Sequence, residues 1–530
     1  SSTIRTARAR TSGENLFAVF AFMAPPSQEL EPPAIPGRFT ITARGQLGTT
    51  ATEHDAGSRA QLVLRYVGED PAGIIYDLLV NYAGIDAGYI DLDSWLNQTE
   101  SFLQQNYSAN IAEPTDVNKL VSELIEQAAL AVWWDPLEQL IRLQVLRAIS
   151  TEAAVFDEDN TMEGSLTIQE QPTTRLSQVF VYFGQRDPLA PIDEERNFRS
   201  SVLTVDGDAE AAYNNLPMIK KVYSRWIPFG ARSVAIRISN ILLGRFRDPP
   251  RRFGLNLFRH GNENPQLGGG YRLKSWTIQD VTGAPTNAPI QITKLNPLSD
   301  RYEVQAEEML FVDPDPADLV NRIIIIDSAI NNVNLRDLHD AIYPDPDAGA
   351  SPAENLTVII ENNVMIGSVS TSQRAFTVGN WPVSYPITIV LRGRIQGAGG
   401  NGGHPEGNGL SGGPAFYTRF PITLDLSAGS TAEIWGGGGG GGGHNDDDYG
   451  AGGGSGNIPG LGAFGSNGTG ANGTTESGGA GAGSAGAGGN PGQSGQSSSQ
   501  RSGGAAGRAI DGVSFVTKIG TGDIRGPQVN

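Results

Sequence analysis

EIWGGGGGGGG (Glu433–Gly443) decides how this chain must be read, because a run of glycines such as Gly436–Gly443 cannot build a side-chain core. Glycine loses more conformational freedom on ordering than any other residue. Such a run orders only if its N–H and C=O groups pair with neighbouring chain, since buried backbone polar groups need partners. Polyproline-II-like helices have three residues per turn and no internal hydrogen bonds, so packed side by side they can satisfy one another, with glycine where space is tight. The competing reading is a flexible linker or disordered tail. Most of the 69 glycines lie between Arg392 and Arg508, so the bias is local. We expect order from Gly397 to about Gly507, clamped by Phe416, Tyr417, Phe420, Ile422, Leu424, Leu426, Ile434 and Trp435 and closed by Val513, Phe515 and Val516. Specificity would then come from the interruptions Asn401–Pro405, Phe416–Tyr417, His444–Tyr449 and Ile458–Phe464, where aromatic and polar residues supply contact area and adaptable hydrogen bonds.

Outward from this run, the bulk numbers set bounds. A chain of 530 residues holds roughly three or four domains of ~100–200 residues each. With no cysteine, disulfides, thiolate metal sites and cysteine nucleophiles are excluded. A net charge of −19 argues against a sequence-neutral grip on nucleic acid, which needs clustered Lys and Arg. No stretch approaches the ~20 apolar residues of a membrane span. Ser1–Gly13 has Arg5, Arg8 and Arg10 but no apolar core, and with no initiator Met the chain is expected to begin partway through a longer polypeptide.

The remainder reads as globular. Leu16–Ala24 and Phe39–Thr42 are expected strands, joined by a proline-rich linker, Pro25–Pro36. Asp70-Pro71 signals a helix start, and Ile75, Leu78, Leu79 and Tyr82 follow at helical spacing. Further helices are expected over Asp91–Gln104 and from Thr115, with Leu120, Val121, Leu124 and Ile125 inward. Trp133-Trp134-Asp135-Pro136 reads as a turn before a strand carrying Ile141, Leu143 and Val145. From Ser165 the pattern is mostly β, with one helix over Ala231–Arg245 and strands at Phe253–Phe258, Arg272–Gln279 and Tyr302–Phe311. Asp313–Ala353 reads as a junction enclosing the strand Ile323–Ile326, and Leu356–Glu361 and Ile387–Arg394 as strands of a small β unit. No repeat of fixed period is visible.

Two resemblances follow from particular stretches. GEDPAGIIYDLLVNYAGID (Gly68–Asp86), EPTDVNKLVSELIEQAALAVWWDPLEQLIRLQVLR (Glu113–Arg147) and the helix, Pro-Pro, strand block Ala231–Phe258 resemble the central hub and tail-tip proteins of long-tailed bacteriophages, over roughly Phe39 to Asp313. RGRIQGAGGNGG (Arg392–Gly403), GGPAFYTRFPITLDL (Gly412–Leu426), the quoted Glu433–Gly443 and GDIRGPQVN (Gly522–Asn530) resemble the glycine-rich C-terminal domains of phage tail-tip and fibre proteins, some of which stack polyglycine helices under receptor-touching loops. The resemblance implies a multidomain, mainly β fold with an inserted α/β domain and a polyglycine-II-like C-terminal domain. It divides the chain into the end of a β hub domain (1–58), an α/β insert (59–150), a β-rich hub domain with one helix (151–313), a junction with a small β unit (314–395) and a glycine-rich distal domain (396–530). It implies a virion structural protein at the distal end of the tail that closes the tail tube. The partners would be two further copies in a homotrimer, tail-tube and tape-measure proteins, and a host receptor. Candidate receptor contacts are His404, Phe416, Tyr417, His444, Asn445, Asp446, Asp447, Asp448, Tyr449 and Phe464.

Chemical motifs are weaker. Gly409–Gly413 matches G-x-S-x-G, but a nucleophile elbow needs a strand before and a helix after it, and Pro414 follows. His444–Asp448 lacks the spacing and distal Glu of a calcium loop. The five histidines are scattered. Trp133 and Trp134 read as packing residues rather than a sugar platform, and Arg245, Arg247, Arg251 and Arg252 as a subunit interface. No cofactor, metal or catalytic residue is expected. Two other readings stay open: a stand-alone glycine-rich adhesin, and a tail polysaccharide depolymerase, which would need convergent carboxylates.

Overall fold

Residues 63–530, except 137, 213, 215, 249, 260–264, 280–281, 311–319, 352, 429–431 and 447, are described by the structure, a computed structural model. The expected strands Leu16–Ala24 and Phe39–Thr42, the linker between them and the domain 1–58 lie outside the described residues.

The first described unit is the α/β body. Asp70 caps helix α1 (Pro71–Asp77), its carboxylate accepting the Ala72 N–H at 2.8 Å, with Pro71 in the first turn. Asp91 caps α2 (Leu92–Phe102), and α3 (Val117–Gln127) buries Leu120, Val121, Leu124 and Ile125. Strand β1 (Leu64–Glu69) pairs antiparallel with β2 (Tyr107–Ile111), and β3 (Leu130–Asp135) with β4 (Leu140–Val145). Trp133 and Trp134 therefore lie within a strand, not in the expected turn. One apolar core joins these elements and takes in Trp226 from the next unit.

A mostly antiparallel sheet and a smaller mixed sheet follow. Strands β5 (Val155–Phe156), β6 (Thr167–Gln169), β10 (Arg252–Phe258), β11 (Gly270–Gln279), β12 (Pro285–Pro297) and β13 (Arg301–Glu308) form a six-stranded sheet in the order β5-β11-β12-β13-β10-β6. Strands β7 (Gln178–Gln185), β8 (Phe198–Val205) and β9 (Ile219–Tyr223) form the order β8-β7-β9, with helix α4 (Arg232–Phe246) packed on one face. The arginines after α4 find partners inside the chain: Arg245 and Arg252 pair with Glu307, Arg247 with Asp206 and Arg251 with Glu308. Each of the four therefore has a carboxylate partner within the chain.

The last unit is a three-faced parallel β-solenoid of five rungs. Each face is a five-stranded parallel sheet. The first face stacks Asn321–Ile326, Asn355–Ile360, Ile387–Leu391, Ile422–Asp425 and Val516–Ile519. The second stacks Ile330–Asn331, Met365–Gly367, Arg394–Gln396, Glu433–Trp435 and Asp523–Arg525. The third stacks Val333–Asn334, Phe376–Thr377, Phe416–Tyr417, Ile510–Asp511 and Gln528–Val529. Ile330, Ile366, Ile395, Ile434 and Ile524 stand in register through all five rungs. The inward residues close a continuous core shared with α4 and its sheet, and the Ile325 N–H donates to Gly230 O at 3.1 Å. The rungs recur at unequal sequence intervals, so the solenoid shows no fixed period, and it runs continuously over 321–529, across the boundary expected at 395/396. Helix α5 (Leu335–Asp340) at the first rung receives the α/β body: the Asn106 N–H donates to Ile342 O at 2.7 Å and Ser108 Oγ to Ala341 O at 3.0 Å.

Candidate functional site: the glycine lattice and its far end

Two inserts leave the solenoid at one corner, between its second and third faces: 397–415 in the third rung and 436–509 in the fourth. Both travel as extended runs that fold back and forth. The run Gly436–Gly443 lies at the centre. Its N–H groups donate in rotation: Gly437, Gly440 and Gly443 to Gly413, Leu410 and Gly407; Gly438 and Gly441 to Ser455 and Gly452; Gly439 and Gly442 to Gln493 and Gln496. Gly436 donates to Arg525 of the solenoid. Its carbonyls accept in rotation too, from Gly400 and Gly403, from Gly504 and Gly507, and from Gly486, Gly489 and Gly492, while Gly443 O accepts the Ser498 hydroxyl. Every peptide group of the run is satisfied and six neighbouring runs surround it. The rotation repeats every third residue, the period of a polyproline-II helix. Gly450–Gly456 is enclosed in the same way by the runs about 397–403, 436–443, 460–463, 468–474, 479–482 and 486–489.

Neighbour distance explains the composition. A Cβ on Gly440 would stand 1.9 Å from Asn401 O, on Gly438 2.0 Å from Gly489 O, and on Gly453 1.9 Å from Gly460 O. Within the lattice only small side chains such as those of Ala451 and Ser455 are buried, and at its edge larger polar side chains replace missing neighbours. Asn401 Oδ1 accepts the Leu461 N–H at 2.9 Å, Asn472 Oδ1 the Gly462 N–H at 2.8 Å and Asn408 Oδ1 the Ser502 N–H at 3.1 Å.

Because the runs alternate in direction, their turns collect at two ends. Turns 457–459, 475–477 and 490–492 face the solenoid, fastened by Asn457 to Asn331 at 3.0 Å, Gln396 Nε2 to Thr475 O at 2.6 Å and the Arg394–Glu476 ion pair. Arg394 and Arg525 also sandwich the Trp435 ring at 3.7 and 4.0 Å. Turns 404–406, 444–449, 464–467, 483–485 and 498–501 gather at the opposite, far end. They are cross-braced: His444 Nε2 lies 3.0 Å from Ser499 Oγ, the Asn445 N–H donates to Gln500 Oε1 at 2.8 Å, Gln500 donates to Asp446, and Ser466 to Asp448. The Tyr449 ring covers Gly483 so closely that a Cβ there would meet it at 2.3 Å.

The structure thus brings together His404, His444, Asn445, Asp446, Asp448, Tyr449 and Phe464 at the far end. His444 is buried and Tyr449 half-buried, so both brace the turns. Asp447 lies outside the described residues. Phe416 is a correction: it is fully buried in the third face, stacked on Phe376 at 5.4 Å, and offers no surface. Tyr417 lies apart from the far end, on the solenoid wall, with Arg374 and Arg419 at 3.7 and 4.6 Å from its ring. Glu406, Ser466, Asn467, Ser484, Ser499 and Gln500 share the far end and were missed, because short polar breaks in a glycine-rich stretch look like linker. Ser411 sits on the extended run 407–413 with no helix after it, so the G-x-S-x-G match is not an elbow. Among the described residues, no group of His, Asp or Glu is placed to hold a metal ion.

Residues 321–529 match the model of a family described as phage tail fibre adhesin Gp38. Among solved structures, the chain is similar to the gp37-gp38 adhesin tip complex of the bacteriophage S16 long tail fibre, at 28% identity, 39% of this chain, 82% of that chain and a TM-score of 0.30. It is also similar to the 43 kDa tail protein of prophage MuSo2 from Shewanella oneidensis, at 9% identity, 46% of this chain, 66% of that chain and a TM-score of 0.29. For prophage tail protein gp18 from Listeria monocytogenes EGD-e the values are 9% identity, 49% of this chain, 69% of that chain and a TM-score of 0.28. No curated protein matches the chain. The family match begins at Asn321, the first solenoid residue, and ends at Val529, the last, so it takes in the whole solenoid with both glycine inserts; over that unit the chain is similar to the phage tail fibre adhesins.

Proposed function

We propose that the chain is a non-catalytic virion protein at the distal end of a phage tail and that the far end of its glycine lattice binds a receptor on the host cell. The observation that carries this is the convergence of five separate turns (404–406, 444–449, 464–467, 483–485 and 498–501) on one scaffold of densely hydrogen-bonded runs. Pre-organised loops lose little entropy on binding, which favours affinity. The finer reading places three copies around the tail axis, closing the tail tube beside the tail-tube and tape-measure proteins. It rests on the resemblance of Phe39–Asp313 to tail hubs.

The test is particle adsorption. Asn445→Ala with Asp446→Ala should lower the adsorption rate by about tenfold or more, the effect of losing contacts at a binding hot spot, while the circular-dichroism spectrum of the purified chain stays unchanged. Full adsorption after substitution of all five far turns would overturn the proposal.

A further inference from the structure

The sheet β8-β7-β9 is apolar on both faces, and helix α4 covers only one. On the α4 side Val179, Val181, Val202 and Val222 are buried. The alternate residues point the other way. Paired across the three strands they form rows: Val205, Gln178 and Ile219, then Leu203, Phe180 and Lys221, then Ser201, Tyr182 and Tyr223. Leu203, Val205 and Ile219 are 50%, 47% and 53% exposed. The Tyr182 ring stacks on Phe180 at 6.2 Å and on Tyr223 at 5.0 Å. Lys221, the charged member of the patch, is tied to Glu195 at 2.7 Å. A sheet that turns one face to water alternates apolar inward with polar outward. This one does not, so its outer face is built to carry a second layer.

The chain itself supplies a match. LFAVFAFMA (Leu16–Ala24) is a wholly apolar, uncharged run closed by Pro25-Pro26. Its length also fits: extended, it would span ~30 Å, against ~26 Å for β7 or β8. The tether leads to the right place. Residues 25–62 connect the run to β1 and can reach at most ~130 Å. Strand β1 then passes beside the sheet, since its Arg65, Tyr66 and Val67 line one cleft with Gly184 and Gln185 of β7 and Arg199 of β8. A tethered segment meets the face at a high effective concentration, which a separate molecule would have to match in solution. We propose that Leu16–Ala24 lies along the outer face of the sheet β8-β7-β9 of its own chain and forms its second layer. The N-terminal stretch is thereby fastened to the body that carries the solenoid. This stands whether or not the far end of the glycine lattice binds a receptor.

The experiment uses the full chain, which has no cysteine, so introduced thiols report alone. Leu203→Cys is combined in turn with Phe17→Cys, Val19→Cys, Phe20→Cys and Phe22→Cys. A disulfide needs Cα atoms within about 7 Å, so mild oxidation should link at least one pair inside the chain, identified by mass spectrometry of the joined peptides. Val383→Cys, on the solenoid and 87% exposed, should link to none of them. Leu203→Cys alone should react with a water-soluble maleimide about tenfold or more slower than Val383→Cys, because the covering segment must first open. Adding Phe17→Ser with Phe20→Ser should restore most of that rate and leave the circular-dichroism spectrum unchanged, since the sheet and α4 do not depend on the run. Links between two chains in place of links within one would put a second copy on the face and overturn the proposal. So would the absence of a link in every pair. Labelling of Leu203→Cys as fast as that of Val383→Cys would show the face open, and slow labelling that the two serines leave unchanged would show another cover; either result overturns it.

Discussion

Gly440 carries the residue-scale argument for the lattice. With Asn401 O 1.9 Å from where its Cβ would be, Gly440→Ala forces two runs apart. We expect destabilisation of about 1–3 kcal/mol or more, as for overpacked cores, read as faster hydrogen exchange at Gly436–Gly443 amides. Ala505→Ser, at an exposed edge position, should stay within about 0.5 kcal/mol of wild type. Asp70 makes a different point. Burial pushes its carboxyl up to about 6, although the Thr99 hydroxyl and the Ala72 N–H both donate to it. A carboxyl whose pKa rises on folding binds its proton more tightly in the native state. Its stabilising contribution is therefore complete below the unfolded value of about 3.9 and is lost as pH rises through about 6. The α/β body should thus gain thermal stability from this group as pH falls from about 7 to about 4. Asp70→Asn, which keeps an equally good cap, should flatten that slope. The cap was legible in sequence because Asp-Pro before an apolar periodic run is a local signal. Phe416 was not legible: its role depends on register with Phe376 and Ile510 across inserts of very different length.

At the scale of elements, helices and solenoid differ in the same way. Helix α3 shows its buried stripe in its own sequence, and Leu124 is fully buried as expected. Leu124→Ala should cost about 2–5 kcal/mol, visible as an earlier unfolding transition of the α/β body. A cost below about 0.5 kcal/mol would mean that the helix does not pack on that face. The solenoid strands are two to six residues long, too short for alternation to declare itself. The isoleucine ladder recurs at unequal intervals because helix α5, the corner 368–375 and the two glycine inserts lie between its steps. A search for fixed periods therefore sees nothing. The glycine run could be read from one end of the argument only: chemistry required its peptide groups to be paired, but which runs pair with which is set by the turns.

At the scale of the whole molecule, the second rung crosses the insert corner with 368–375 alone. Replacing 397–415 and 436–509 by copies of that short corner should leave a folded solenoid. Circular dichroism should still report β structure and cooperative unfolding, while particles carrying the variant fail to adsorb. An unfolded product would show instead that the lattice holds the solenoid together, through fastenings such as Arg394 to Glu476. The proposed three-fold assembly is checked by light scattering of the full chain and by symmetry in particle images; a monomer in both would refute it.

The interior of the glycine lattice is made almost wholly of peptide groups and bare α-carbons, with a few small side chains such as Ala451 and Ser455, and this has a thermal consequence. Exposing apolar surface raises the heat capacity on unfolding and exposing peptide surface lowers it, and it is the large positive sum that curves an ordinary protein's stability into a dome with a maximum near about 10–20 °C. The solenoid, with its isoleucine ladder, belongs to that ordinary class. The lattice has almost no apolar surface to expose, so its own melting should show a heat-capacity step close to zero and a stability that falls nearly linearly with temperature. Scanning calorimetry of the intact chain should resolve that flat component. Chilling, which weakens an apolar core, would then leave the adhesive end as firm as it is at warmer temperatures or firmer.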